Sequence, residues 1–173
     1  QPVAIPEIQA TALAISRWKT GRLVSLAAWC GGHAAKGHPA TLRAVAAFGC
    51  HVGICLQMKN DLDELAEFIN GSERCDDLRN RRVTWPWAWA AADLSADQVA
   101  SLQRRLRQPH LRLESLRGLA SDLYEVTYER GTRAINARLD RATRRLAMAA
   151  AGRPDVGLLT EVAAVHQTGC GRG

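Results

Sequence analysis

The spacing of apolar residues along the chain is helical. They recur three and four positions apart in nearly every window, and the strict alternation typical of strands is missing. In chain order, the predicted helices are 6–18, 22–35, 40–68, 95–107, 111–139, 141–151 and 155–167, with a short one after Trp85. We therefore predict an all-α fold.

The sequence Lys19-Thr20-Gly21 interrupts the pattern between the first two predicted helices. An ammonium, a hydroxyl and a backbone amide at a helix bend can bind an anion together. The tripeptide is common, so it is weak evidence when taken alone. The second predicted helix is apolar on nearly all sides, which predicts that it is buried.

The third predicted helix changes character along its length. Its middle contains Gly49 and Gly53, four positions apart on one face, where small residues let a second helix or a flat apolar ligand come close. Close helix packing is the favoured interpretation. At its end a polar group shares one face: Gln57, Asn60, Asp61 and Glu64. That group is either a set of oxygen ligands or a solvated acidic helix end, and spacing alone does not decide between them.

A polar segment from residue 70 to residue 84 contains both acids and bases. Asp76 and Asp77 are candidates for contact with a metal-bound water, and Arg81 or Arg82 for contact with a phosphate. The alternative is a surface connection with internal ion pairs. Three tryptophans then open the short helix and are expected to fill core and interface positions: Trp85, Trp87 and Trp89.

The composition is that of a soluble globular protein, with 173 residues, 47% hydrophobic and 23% charged. We predict a single helical domain over residues 1–173. The five cysteines contain no CxxC pair, which favours reduced thiols and a cytoplasmic location. The uncharged run from Leu23 to Ala35 is too short and too interrupted by glycine to cross a bilayer, so no transmembrane segment is expected.

The net charge of +6 and the pI near 9.5 favour anionic partners, which include nucleic acid, lipid headgroups and phosphorylated small molecules. Much of the excess is arginine between Arg104 and Arg145, mixed with Asp and Glu as on an ordinary solvated face. The sequence contains no recognised nucleic-acid-binding motif, and only two aromatic residues, Tyr124 and Tyr128, lie among these arginines. We therefore expect no nucleic-acid partner.

Three pieces of the sequence, in this order, resemble the C-terminal half of the trans-isoprenyl diphosphate synthases, also called polyprenyl synthetases. Lys19-Thr20-Gly21-x-Leu23 is similar to the family's Lys-Thr-(Ala/Gly)-x-Leu at a diphosphate-binding helix break. The run 49–64 is similar to Gly-x-x-x-Gly-x-x-x-Gln-x-x-Asp-Asp-x-x-Asp, which contains the second aspartate-rich motif. The run 77–86 is similar to the loop that follows, Asp-Leu-Arg-x-Gly-Lys-x-Thr-Leu-Pro. The resemblance covers about residues 8 to 90.

The resemblance implies a helical bundle of the isoprenoid synthase type around an apolar cavity, with N-terminal helices missing from this chain. It implies that Mg²⁺ lies between two acidic motifs, that an allylic diphosphate ionises and that isopentenyl diphosphate attacks the cation. It also implies a homodimer or a heteromeric partner subunit. By position, it implies the metal ligands Asn60, Asp61 and Glu64, the diphosphate contacts Lys19, Thr20 and Arg82, and the catalytic residues Lys19, Thr20, Gln57 and Asp61. All these side chains are expected at one mouth of the cavity.

The sequence departs from the family pattern mainly on the metal side. Asn60 stands where the family has its leading Asp, and a neutral carbonyl oxygen binds Mg²⁺ more weakly than a carboxylate does. Glu64 replaces the closing Asp, and Arg82 replaces the loop Lys. The first motif, Asp-Asp-x-x-Asp, does not occur in the chain. A terpene-cyclase Asn-Asp-x-x-Ser-x-x-x-Glu triad also fails here, because positions 64 and 68 are Glu and Phe.

Three functional hypotheses follow from the residues and the resemblance. The first is a prenyl-transferring enzyme whose first aspartate-rich motif comes from a missing N-terminal half or from a partner. The second is a non-catalytic accessory subunit of a heteromeric prenyl synthase, which Asn60 and the missing motif favour. The third is a basic helical nucleic-acid-binding protein, which only the charge supports.

Overall fold

The computed structural model describes residues 5–108 and 112–150, and in this part of the chain all regular structure is helical. A π-helical turn, Arg17–Gly21, joins the first helix to the second. The α-helices are α1 (Ile5–Ser16), α2 (Arg22–Ala34), α3 (Pro39–Ile69), α4 (Asp76–Arg79), α5 (Trp85–Asp93), α6 (Ala96–Leu106) and α7 (Leu113–Ala150). The prediction of an all-α fold is confirmed.

The prediction of a break between two helices near residue 140 is wrong, because α7 runs without interruption from Leu113 to Ala150. The segment around the predicted break contains no proline or glycine and is rich in alanine, leucine and arginine, which are strong helix formers. The predicted helix 155–167 lies outside the described residues. At the other end, the helix α6 begins where Ser95 predicted, with a reciprocal capping box between Ser95 and Gln98.

The prediction that α2 is buried is also wrong. None of its residues is buried, and Leu23 is 67% exposed. Small residues form the side that packs on α3: Ala28 contributes to that packing, and a methyl group placed on Gly49 of α3 would lie 2.8 Å from the carbonyl oxygen of Val24. The larger apolar side chains, including Trp29, point away from this contact and are exposed. Uniform hydrophobicity therefore did not indicate burial on every side.

The chain divides into two compact units by its internal contacts. Unit 1 consists of Gln1–Ile15 and Met58–Arg133, and unit 2 of Ser16–Gln57 and Ala134–Gly173. Each is described by itself below. The predicted single domain over residues 1–173 stays a prediction.

The core of unit 1 is built mainly from α3, α5 and α7. Phe68, Leu119 and Leu123 are fully buried there. The three tryptophans of α5 are buried as predicted, and a methyl group at Gly131 of α7 would lie 2.6 Å from the ring of Trp89. The absence of a side chain at this glycine lets α7 contact the indole directly.

The core of unit 2 is smaller. Val45 of α3 and Leu146 of α7 are buried against each other, and Ala28, Ala44 and Phe48 pack around them.

The helix α3 is also long enough and apolar enough to cross a membrane by length and composition alone. Core helices of soluble proteins meet the same criteria, and Met58 and Phe68 of α3 are buried. The absence of a transmembrane segment stays a prediction.

Candidate functional site

The bend predicted at Lys19-Thr20-Gly21 is present as the π turn. The backbone N–H of Arg22 bonds to the carbonyl oxygen of Arg17, five positions earlier, which widens the helix by one residue. Such π turns frequently occur at functional sites. The turn leaves Lys19 exposed and Thr20 half-buried, while Gly21 is buried.

Gly53 of α3 allows the π turn to contact α3 at backbone distance. A methyl group at Gly53 would lie 2.7 Å from the carbonyl oxygen of Thr20 and 2.8 Å from the Cα of Gly21. Only a residue without a side chain fits between these backbone atoms. Close packing, the favoured interpretation of Gly49 and Gly53, is therefore confirmed.

This close approach brings two of the sequence motifs together. The hydroxyl Oγ1 of Thr20 donates a hydrogen bond to Oε1 of Gln57, at 2.9 Å. Thr20 lies on the π turn and Gln57 lies one helical turn after Gly53 on the same face of α3. The two residues were predicted to be neighbours only through the family resemblance, since 37 positions separate them.

Asp61 is 7% exposed and binds a backbone amide. Its Oδ2 accepts a hydrogen bond from the N–H of Trp85, the first residue of α5, at 3.0 Å. The N-terminal amides of a helix have no partner within the helix, so a carboxylate at this position satisfies one of them and interacts favourably with the helix dipole. Asp61 therefore connects α3 to α5.

Glu64 binds the next helix in the same way. Its Oε1 accepts a hydrogen bond from the N–H of Asp77 in α4, at 3.0 Å. Burial raises the pKa of Glu64 above its ordinary value, and this amide opposes the shift, while the carboxylates of Asp77 and Asp76 add to it. This structural use of Asp61 and Glu64 was not predicted, because nothing local connects either residue to a backbone amide 13 or 24 positions later.

Arg82 lies in the loop after α4 and pairs with Asp77, with Nη1 3.2 Å from Oδ1. This pair is the kind of internal ion pair that was expected if the loop is a surface connection and not a phosphate-binding segment. Arg82 is exposed and also lines an open pocket on unit 1 with two further arginines, a glutamine and an apolar floor. The remaining lining residues are Ile8, Arg81, Val83, Trp87, Gln103, Leu106 and Arg107. The contributions of Gln103 and Arg107 were not predicted, although their spacing of four places them on one face of α6.

The side-chain oxygen atoms of Asn60, Asp61 and Glu64 determine whether these residues fit Mg²⁺. Asn60 is exposed, while Asp61 and Glu64 each already use one oxygen to accept a backbone hydrogen bond. Across residues 5–108 and 112–150, no three His, Cys, Asp or Glu side chains are grouped so that they could hold a metal ion. The described residues therefore do not form a magnesium site by themselves, and the assignment of Asn60, Asp61 and Glu64 as ligands stays a prediction.

These motifs lie in a part of the chain that matches a known protein family. Residues 7–122 match the family described as polyprenyl synthetase. The chain belongs to the polyprenyl synthetase family. All three motifs of the chain lie inside the matched range, and the helical fold of the chain agrees with the family. No curated protein and no solved structure is significantly similar to the chain.

The predicted site residues of this family member fall into both units. Lys19, Thr20 and Gln57 belong to unit 2, whereas Asp61, Glu64 and Arg82 belong to unit 1. Within unit 2 the structure brings Thr20 to Gln57, and within unit 1 it links Glu64 to the segment that contains Asp77 and Arg82. The gathering of all these side chains at one mouth stays a prediction.

Proposed function

We propose that this polyprenyl synthetase binds the diphosphate end of a prenyl substrate at its π turn and takes part in prenyl transfer. In that reaction the allylic C–O bond breaks and its electron pair leaves with the diphosphate. A C–C bond then forms with isopentenyl diphosphate, and a proton is lost. The hydrogen bond between Thr20 and Gln57 is the observation that carries the proposal, because it joins the two motifs that the family resemblance assigns to one site.

The charges near the π turn support an anionic ligand. Lys19 is exposed beside Thr20, and the sequence contains no Asp or Glu between Glu7 and Asp61. An ammonium group with no carboxylate close in sequence attracts a diphosphate, and hydrogen bonds between charged groups are about twice as strong as neutral ones. Lys19 would therefore supply charge. The hydroxyl of Thr20 already donates its hydrogen to Gln57, so Thr20 would act by holding the amide of Gln57 in place to orient the ligand.

Ionisation of the allylic diphosphate needs more than these groups. Magnesium, when bound, supplies positive charge that stabilises the leaving diphosphate. Since the described residues do not fit such a site by themselves, we propose that carboxylates from a further segment of polypeptide or a partner subunit complete it. The dimeric state and the cytoplasmic location likewise stay predictions.

A second candidate function is favoured by a separate observation. Asp61 and Glu64 are both occupied in holding the N-terminal amides of α5 and α4. Carboxylates used in this way suit a subunit that keeps the fold and the diphosphate contacts but leaves metal binding to another chain. Under this alternative, the protein is an accessory subunit that shapes the cavity of a complete synthase.

The diphosphate-binding proposal is tested by calorimetry with inorganic pyrophosphate, with and without Mg²⁺. Lys19→Ala and Thr20→Val are compared with Arg43→Ala, which removes an exposed cation of α3 outside the π turn. We expect Lys19→Ala to weaken binding by about tenfold or more, since a hydrogen bond to a charged group contributes roughly 1.5–3 kcal/mol. Arg43→Ala should bind as the wild type does. Equal affinity in all three variants would contradict the proposal.

Prenyl transfer is tested with labelled isopentenyl diphosphate and an allylic diphosphate. Turnover by this protein, alone or with a partner that carries an Asp-Asp-x-x-Asp motif, supports the enzyme. No turnover of its own, with a changed product length when it is added to a complete synthase, supports the accessory subunit. A protein that binds pyrophosphate but does neither would rule out both roles in transfer.

A further inference from the structure

The positive charge of the protein is concentrated in unit 2. Residues 16–57 and 134–150 contain nine Arg and Lys residues but only one acidic residue, Asp140. The whole chain has a net charge of +6, so this unit accounts for more than the entire excess. Like charges on one compact unit reduce its stability, so this excess of positive side chains indicates a function that offsets the loss.

The packing of α7 on α3 places part of that charge beside α3. The Sγ of Cys55 donates to the carbonyl oxygen of Ile135 at 3.7 Å, and Leu146 packs on Val45. The two helices therefore run antiparallel along this stretch. Between these contacts, Nη1 of Arg138 lies 3.3 Å from Nδ1 of His51.

Two more arginines of α7 follow Arg138 on the same side. Arg141 and Arg145 lie three and seven positions later, a spacing that places residues along one edge of a helix. Both are exposed, and Arg138 is half-buried. On α7, a row of three arginines thus begins at the residue that contacts His51.

A fourth arginine comes from a second element of unit 2. Arg17 begins the π turn, which lies against α3 so closely that a methyl group at Gly21 would be 3.2 Å from the carbonyl oxygen of Cys50, the neighbour of His51. Burial lowers the pKa of His51 below its ordinary value, and the charges of Arg138, Arg145, Arg141 and Arg17 lower it further. The charges of these four arginines, called the arginine cluster below, therefore all act on one imidazole.

The hydrogen bond between Arg138 and His51 determines which ring nitrogen of His51 carries the hydrogen. A guanidinium has no acceptor, so Arg138 must donate and Nδ1 of His51 must accept. The neutral ring then carries its hydrogen on Nε2. The carboxylates of Asp63, Asp77, Asp93, Asp122 and Glu129 pair with cations outside the arginine cluster.

We propose that the arginine cluster and His51 form a second anion site, which binds a phosphoryl group. Guanidinium groups match phosphate oxygens in geometry and in charge, and the Nε2–H of His51 adds a neutral donor. Arginines from two elements, the π turn and α7, act on the same imidazole, which suits a compact anion better than the extended backbone of a nucleic acid. The phosphoryl group belongs either to a free diphosphate or to a phospholipid headgroup.

This site is separate from the one proposed at Thr20 and Gln57. On α3, His51 lies six positions before Gln57, which places the two side chains on different faces of the helix. The second site also needs no magnesium. Its test can therefore be run without Mg²⁺ and in a Lys19→Ala background, so that loss of the first site leaves the result unaffected.

The experiment follows the imidazole resonances of His51 by NMR while inorganic pyrophosphate is added. A parallel sedimentation assay uses phosphatidylglycerol vesicles, with phosphatidylcholine vesicles as the neutral comparison. The test variant is Arg141→Gln with Arg145→Gln. The matched control is Arg144→Gln, which removes an equally exposed charge from the same helix, but one that is not among those acting on His51.

We expect pyrophosphate to move the His51 resonances, and the double variant to weaken that binding by about tenfold or more, because two charge-assisted contacts are lost. Arg144→Gln should stay within about twofold of the parent, since screening limits the reach of an exposed charge. Binding to phosphatidylglycerol vesicles alone, with the same dependence on Arg141 and Arg145, identifies the phosphoryl group as a lipid headgroup. No response to either ligand, or equal weakening by Arg144→Gln, would overturn the proposal.

Discussion

The side chain of Asp61 holds the backbone N–H of Trp85 at 3.0 Å, across 24 positions of sequence. Family resemblance assigns Asp61 to metal binding, yet in the structure it fixes the start of the helix that contributes three buried tryptophans to unit 1. The structure therefore gives this carboxylate a role in folding, while its role in metal binding and catalysis stays a prediction. Substitutions at this position must be judged by stability before they are judged by activity.

Replacing Asp61 with alanine should lower the free energy of unfolding by about 1–3 kcal/mol, because the buried amide of Trp85 loses its acceptor. Asp61→Asn keeps an oxygen at the same place and should lose less. Chemical denaturation measures both. Asp63→Ala is the control, since its exposed ion pair with Lys59 is of a kind that contributes about 0.3–0.5 kcal/mol. Equal losses for Asp61→Ala and Asp63→Ala would show that the Asp61 contact has little effect.

Gly53→Ala should destabilise the protein by about 1–3 kcal/mol, as expected for an overpacked contact. The added methyl group meets backbone atoms of Thr20 and Gly21 at 2.7 to 2.9 Å, and these cannot move aside as a flexible side chain can. The loss should exceed the gain in helix propensity, about 1 kcal/mol.

The control for Gly53→Ala is Gly118→Ala in α7. Its nearest neighbour is the end of the Arg105 side chain at 3.9 Å, so only the propensity gain remains and the melting temperature should rise. A stable Gly53→Ala protein with unchanged pyrophosphate affinity would contradict the close contact between the π turn and α3.

The raised pKa of Glu64 predicts a pH-dependent contribution to stability. The folded state holds this proton more tightly than the unfolded state does, so the stabilisation is complete below the ordinary carboxyl pKa and is lost as pH rises through the folded value. Glu64→Gln has no such dependence and keeps an acceptor for the Asp77 amide. Relative to wild type, this variant should gain stability from acidic to neutral pH.

Urea unfolding over a pH series measures this difference. If the offset of Glu64→Gln from wild type were constant over this range, the carboxyl group of Glu64 would have an ordinary pKa in the folded protein.

The cysteines should differ in reactivity. Burial raises the pKa of Cys55 and of Cys75 to about 11, so almost no thiolate is present at neutral pH, and both side chains are inaccessible. Cys30 is exposed on α2. Brief treatment of the native protein with iodoacetamide should label Cys30 far ahead of the other two, as read by peptide mass spectrometry, and denaturant should abolish the difference. Similar rates in the native protein would mean that the buried thiols open to solvent.

Local features of the sequence predicted the local features of the fold. Helical periodicity gave the all-α class, Ser95 and Gln98 gave the start of α6, and Gly49 with Gly53 gave the close helix contact. Each of these depends on residues within about two helical turns. The interruption at Lys19-Thr20-Gly21 was predicted in the same way and is the π turn.

Non-local features could not be predicted in this way. Periodicity does not say which side of a helix finds a partner, and α2 packs through its small residues while its large ones stay exposed. Nor does spacing reveal that Asp61 and Glu64 bind the amides of later helices, or that Arg138 meets His51 across 87 positions. The Thr20 and Gln57 contact was anticipated only because a family pattern supplied the missing long-range information.

The five tryptophans are divided by their surroundings, and this has an optical consequence. Trp85, Trp87 and Trp89 are buried in α5, whereas Trp18 and Trp29 are exposed, with the guanidinium of Arg22 4.1 Å from the centre of the Trp18 ring. Iodide is an anion that quenches only indoles it can touch, and the positive charge beside Trp18 attracts it. The native protein thus contains its own fluorescent reporter of the π turn and α2, whose emission can be separated from that of the interior without any added dye.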